Sequence, residues 1–298
     1  MKKVWLIIGG IFVIGISFLL WQFLKPEPPK GPHFVFKILG DSKNNFERPL
    51  AVTVQGQKIF VADSGRQQTQ VFDKWGEFLF SFPANSAKKG ALSYPAGIAV
   101  GRKNQIYVSD LKGGRVLLFN ARGKYLTDFP RDPSLIKKPL AIAFANGNLY
   151  LTDVGDQSVK VFDPHGKLVR RFGKIGKKKG QFSYPNGIAV SKKGFIFVSD
   201  SNNKRVQVFN REGKFKYIIG SRMLTLPRGI VIDQFNRIHV ADTLAFKVVV
   251  FKMNGDYLFS YQEPQTDITF PQGLAINAKS RRIYVTDRLN RWVSVWEY

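Results

Sequence analysis

Six aspartates, Asp63, Asp110, Asp153, Asp200, Asp242 and Asp287, each close an apolar run and begin a short polar loop. Carboxylates could in principle hold a metal or exchange protons with a substrate. Their spacing points elsewhere. An aromatic follows each aspartate nine positions later, at Phe72, Phe119, Phe162, Phe209, Phe251 and Trp296. A proline precedes each by 14 to 16 positions, at Pro49, Pro95, Pro139, Pro185, Pro227 and Pro271. A residue used once per repeat before a tight polar loop is expected to hold that loop by accepting its backbone N–H groups. Catalysis breaks such symmetry, so these six are assigned a structural role and no catalytic residue is assigned. Only His33, His165 and His239 could offer imidazoles, and their scattered positions assemble no zinc set. There is no cysteine, which removes disulfides, thiolate zinc sites, a thiol nucleophile and an acylated lipoprotein cysteine without bearing on compartment. Neither a glycine-rich phosphate loop nor a hydrolase nucleophile motif is present.

The elements that position these residues are read from the repeat itself. In residues 184–220 a Pro-x-Gly opening leads to an apolar run, a polar turn, a β-rich run ending in Asp, a polar loop, a Val-rich run ending in an aromatic, and a Gly hairpin. Four short strands per copy at a period in the forties describe a propeller blade. Gly76, Gly123, Gly166, Gly213 and Gly255 fall where a type I hairpin needs a left-handed residue. The sixth copy stops at Tyr298, after its third strand, while residues 34–40 match the ending of the repeat at 215–220. The expected fold is therefore all-β, a six-bladed propeller over residues 33–298 with an N-terminal strand completing the last blade. Closing the ring with both chain ends also removes two sheet edges.

In a propeller the loop into the first strand and the loop between the second and third share one face. By that geometry Arg48, Tyr94, Lys138, Tyr184, Arg228, Phe270 and Gln272 should ring the funnel mouth, with Arg66, Lys112, Arg115, Lys204, Arg205, Lys247, Arg288 and Arg291 farther out. The connections carrying Lys88, Lys89 and residues 177–179 lie on the same side. The set taken as ligand-binding is Arg48, Tyr94, Lys138, Tyr184, Asn186, Arg228, Gln272 and Arg288. Such a basic, aromatic-studded surface suits a phosphorylated, carboxylated or sulfated ligand, through charge-assisted hydrogen bonds and ring stacking. A cation held by oxygens near Asn186 and Gln272 is disfavoured by the surrounding positive charge.

Lys and Arg number 46 against 21 Asp and Glu, a net +25. Subtracting the four lysines and one glutamate of residues 1–30 leaves +22 on the remainder. That charge favours polyanionic partners: an acidic protein, an acidic polysaccharide, anionic lipid or, less favoured, nucleic acid. After a short basic tail (residues 1–3), residues 4–24 are uncharged. As a helix at about 1.5 Å per residue this run would span roughly 31 Å, close to the hydrocarbon thickness of a bilayer. Trp5 and Trp21 stand near its ends, and no small-x-small cleavage pattern follows, so the segment is expected to be an uncleaved signal anchor. Lysines flank both ends of the segment; the basic head followed by a long apolar run is the basis for placing the propeller outside the cytoplasm, on the periplasmic or extracellular side of the cell membrane. Residues 25–32, with four prolines, should form an extended spacer.

The repeated Pro-x-Gly-Ile-Ala-Val opening, the Ile-Tyr-Val-Ser/Ala-Asp segment, the Asn-Asn-Lys-Arg-Val loop and the Asn/Asp-x-x-Gly-Lys hairpin resemble the NHL-repeat family of six-bladed β-propellers over about residues 34–298. The resemblance implies the fold and leaves activity open. Members of that family are mostly binding platforms, including extracytoplasmic sensor domains and RNA-binding domains, and a minority with their propeller cousins are lyases, lactonases or hydrolases with a funnel metal. The function expected is a membrane-anchored, non-enzymatic binding or scaffold module for an anionic ligand or partner protein, without a cofactor. Two alternatives stand beside it: a lyase or lactonase-like hydrolase using a divalent cation in the funnel, and nucleic-acid binding if the propeller is cytoplasmic.

Overall fold

The computed structural model describes residues 31–41, 44–83, 89–262 and 268–298. The basic tail, the predicted anchor and spacer residues 25–30 lie outside the described residues, as does Lys88. Among the described residues no helix is long and apolar enough to cross a membrane.

Six antiparallel four-stranded sheets follow one another around a ring, and the innermost strand of the last touches that of the first. The first blade runs Pro49–Gln55, Lys58–Asp63, Gln68–Phe72 and Phe78–Phe82 from the axis outward. The next four open on Pro95–Val100, Pro139–Ala145, Pro185–Val190 and Pro227–Ile232. The sixth consists of Pro271–Asn277, Arg282–Asp287, Trp292–Glu297 and, from the other end of the chain, His33–Ile38. His33 pairs with Glu297 and Ile38 with Val293, so the ring is closed as the repeat ending at 34–40 predicts. The strand stops two residues short of that range, because Gly40–Asp41 turns away to pair with Asn44–Asn45.

Each outer hairpin carries its glycine at positive φ, between 76° and 98° for Gly76, Gly123, Gly166, Gly213 and Gly255. The register shifts just before each turn, between Val71 and Phe72 in the first blade, as a type I turn followed by a bulge requires.

The core lies between blades. The residue that ends each outermost strand packs on the third-strand aromatic of the next blade. Ring centroids are 4.8 Å apart for Phe82 and Phe119, 5.9 Å for Phe129 and Phe162, 4.8 Å for Phe172 and Phe209, and 5.0 Å for Tyr261 and Trp296. Ile219 with Phe251, and Ile38 with Phe72, complete the circuit. The aromatic nine residues after each aspartate is thus the seam between neighbours, where ring pairs contribute about 0.5–1.5 kcal/mol each beyond area burial.

One seam is polar. Between blades five and six the fully buried His239 sets Nε2 3.1 Å from Asp233 Oδ2 and 3.1 Å from the Tyr298 hydroxyl, with Nδ1 3.4 Å from the Tyr261 hydroxyl. Arg237 Nε donates to the same Asp233 oxygen at 2.6 Å. Burial holds the His239 imidazole below its ordinary value of 6.5. The folded protein then binds this proton less readily than the unfolded chain, so the stability it contributes is present above about pH 6.5 and is lost as the pH falls. Urea midpoints at about pH 7.5 and about pH 5.5 will show the loss in the wild type and a smaller one in His239→Gln; an equal loss in both would remove His239 as its source.

Candidate functional site

The funnel mouth is held in place by the six aspartates. All are buried, and each accepts backbone N–H groups from the segment that opens its own blade. Asp63 takes those of Glu47 and Arg48, Asp110 those of Ser93 and Tyr94, and Asp153 those of Lys137 and Lys138, at 2.7–3.0 Å. Asp242 takes Thr225 and Leu226, and Asp287 takes Thr269 and Phe270. The following loop is held as well, through Gly113, Gly155, Leu289 and Asn290. The expectation of a purely local role is therefore too narrow: the carboxylate fastens both loops of the mouth face.

Blade four departs from this pattern. Asp200 Oδ2 is occupied by Asn203, Arg205 and Gln207 side chains, and only Ser183 reaches Asp200 from the opening loop. The Tyr184 N–H turns instead to Gln157 Oε1 of blade three at 2.6 Å. Tyr184 is held at φ +63°, a left-handed conformation uncommon for an aromatic and typical of places where strain is retained for use.

Glycines let the inner strands converge on the axis. A Cβ on Gly187 would lie 2.0 Å from the Arg228 carbonyl oxygen, and one on Gly229 2.3 Å from that of Gln272. This close approach explains the Pro-x-Gly signature. It also brings the residue after each opening proline to the axis, and these six residues divide in two. Blades one to three supply Leu50, Ala96 and Leu140; blades four to six supply Asn186, Arg228 and Gln272.

These six line a cavity of about 200 Å³, with Tyr94, Leu111, Tyr184 and Arg288 at its rim. Its floor is a collar of Val52, Ile98, Ile142, Ile188, Ile230 and Leu274, which also bounds the channel on the opposite side. Among the described residues the lining holds no Asp, Glu or His. Arg228 Nη1 donates to Gln272 Oε1 at 3.3 Å, whereas the buried Arg228 Nε, Gln272 Nε2 and Asn186 Nδ2 find no partner among the described residues. Phe270 receives Arg228 at 5.7 Å and Arg288 at 5.6 Å from its ring centroid. Burial lowers the Arg228 guanidinium from its ordinary value and Arg288 lowers it further by repulsion, against the pull of Tyr184 and Tyr94; arginine remains charged throughout the physiological range.

Of the residues expected at the mouth, Tyr94, Tyr184, Asn186, Arg228, Gln272 and Arg288 meet in this cavity. Lys138 lines an adjoining groove of about 550 Å³ with Lys112, Lys137 and Gln157, sharing Tyr94, Leu111 and Tyr184 with the cavity. Arg48 stands over Tyr94, 6.0 Å from its ring centroid. Arg288, placed farther out by loop position alone, reaches the cavity. Arg205 does not belong to the surface: it is buried against Asp200 at 2.9 Å and donates to the Lys178 and Gln181 carbonyls. Sequence reasoning missed Leu111 and Gln157, which lie in loops whose polar pattern carried no distinguishing sign. A divalent cation does not suit this lining. It would meet two guanidinium groups and neutral amides, one amide oxygen already engaged, where hard cations take carboxylates. Among the described residues no cluster of three or more His, Asp or Glu could hold a metal.

Residues 182–209 match the family model for the NHL repeat. The matched NHL repeat runs through blade four from its opening loop to Phe209. Human E3 ubiquitin-protein ligase TRIM32 is 25% identical over 236 residues, 74% of this chain and 35% of that protein. Protein brain tumor of Drosophila melanogaster is 31% identical over 119 residues, 39% of this chain and 12% of that protein. The chain spans 12% to 35% of the length of the curated relatives it matches. Among solved structures, a gluconolactonase of Xanthomonas campestris superposes with TM-score 0.67 at 14% identity, covering 92% of this chain and 99% of that one. Virginiamycin B lyase of Staphylococcus aureus superposes with TM-score 0.61 at 15% identity, covering 86% of each. At such identities the likeness is one of fold.

A buried donor without an acceptor costs about 1–3 kcal/mol. Asn186→Leu, which removes one, will raise the ligand-free unfolding free energy by about 1 kcal/mol in a denaturant titration. A loss of stability would show that the Asn186 amide is satisfied in the resting protein.

Proposed function

We propose that this protein is a membrane-anchored, non-enzymatic binding propeller whose funnel mouth takes an anionic ligand or the acidic group of a partner protein outside the cytoplasm. One observation carries the reading: three buried N–H donors, Arg228 Nε among them, and a second arginine, Arg288, converge on a cavity with no carboxylate among its described residues. An acceptor-rich anion would satisfy the donors and neutralise the guanidinium groups together, with charge-assisted bonds of about 1.5–3 kcal/mol each. The +22 of residues 31–298 draws such a ligand toward the protein. Relatives named as ubiquitin-protein ligases, enzymes that act on proteins, lend support to a protein partner. Anchoring rests on the uncharged run of residues 4–24.

Titration of the detergent-solubilised full chain with acetate, inorganic phosphate and polyglutamate will raise its melting temperature with at least one of them, by linkage. Arg228→Gln combined with Arg288→Gln will abolish the rise; a rise that survives the double substitution would move the site elsewhere. A topology reporter fused after Tyr298 will be active outside the cytoplasm, and a cytoplasmic signal would overturn the placement and favour a nucleic-acid partner.

A further inference from the structure

The mouth cavity has two unlike walls. Going around the ring, Leu50, Ala96 and Leu140 form one continuous half, and Asn186, Arg228 and Gln272 form the other. All three unpartnered donors lie in the second half, and Gln272 is itself only 6% exposed. The aliphatic collar beneath offers no hydrogen-bonding side chain. A symmetric inorganic anion would meet donors on one side and strip its hydration against aliphatic carbon on the other, which is unfavourable. An uncharged apolar molecule would leave the donors unmet. The volume sets a further limit: an apolar cavity of about 150 Å³ holds a benzene, so about 200 Å³ admits roughly one ring with a small polar group.

We propose that the cavity selects a small amphipathic carboxylate, with its carboxylate on Asn186, Arg228 and Gln272 and its apolar body against Leu50, Ala96, Leu140 and the collar. This rests on the anion-binding reading above and narrows it to a chemical class. The planar guanidinium edge left free by the Arg228–Gln272 bond matches a carboxylate. Tyr94 and Tyr184 stand at the opening, where the far end of a single ring, or a short chain continuing from it, would pass between them.

The test compares benzoate, acetate, inorganic phosphate and benzyl alcohol by calorimetric titration of the full chain in detergent. Benzoate will bind at least about tenfold more tightly than acetate, phosphate or benzyl alcohol, because only benzoate satisfies both walls. Leu140→Asn will bring benzoate down to the level of acetate, and Arg228→Gln will lose both acids. The probe series needs no variant, so a Leu140 substitution that fails to fold does not shield the proposal. Equal binding of acetate or phosphate and benzoate, all dependent on Arg228, would overturn the amphipathic selection and leave the anion site standing. Absence of any Arg228-dependent anion binding would overturn both, and benzyl alcohol binding as tightly as benzoate would show that the donors play no part.

Discussion

Everything on the mouth face depends on a buried carboxylate accepting backbone N–H groups. The aspartate at the end of each second strand binds the segment opening its own blade and, in several blades, the loop that follows. Without it, one or more partly buried N–H groups in each blade would lose their acceptor, at up to about 1–3 kcal/mol apiece where water cannot replace it. The bond also fixes where the opening proline begins its strand, and therefore how far the next residue projects toward the axis. A fold-level fastening thus becomes a positional constraint on the funnel.

Six-fold repetition solves the problem of closure; departures from it produce the site. The outer seams repeat one device, an outermost-strand residue on the third-strand aromatic of the next blade, with small changes of side chain. The inner ring does not repeat. Three apolar residues face three donors, and the donors are left without acceptors among the described residues, an arrangement that lowers stability unless something else completes it. Blade four adds a left-handed Tyr184, beside an aspartate engaged by Asn203, Arg205 and Gln207. A further departure lies in blade five. Phe246 holds φ +55° at the position taken by Gln67, Gly114, Gln157, Lys204 and Arg291 elsewhere, an unfavourable conformation for a bulky side chain.

Chemistry at the funnel is limited by what the inner ring contains. Among the described residues its lining has no carboxylate, imidazole or thiol, so it offers a hard cation none of the carboxylates such an ion takes. The same fold houses a gluconolactonase and virginiamycin B lyase, which is the ordinary separation of architecture from activity. The residues present here supply oriented donors, fixed positive charge and a floor of aliphatic side chains.

Much was legible in the sequence because it was periodic. The prolines, aspartates, third-strand aromatics and hairpin glycines recur at fixed intervals, and local geometry ties each to a strand end, a loop or a turn. The shared ending at 34–40 and 215–220 was enough to predict ring closure. Six of the eight residues assigned to the mouth do meet in one cavity, since loop position alone determines which face a residue joins. Sequence could not tell a surface arginine from a buried one: Arg205 and Arg288 look alike, yet one is consumed by Asp200 and the other faces the cavity. Nor could it show that Leu50, Ala96 and Leu140 stand opposite Asn186, Arg228 and Gln272, or that three of the amide and guanidinium nitrogens lack partners among the described residues. Periodic features are set by contacts within a blade, which the sequence carries locally. The division of the cavity into an apolar wall and a donor wall exists only once six distant segments are brought to one axis.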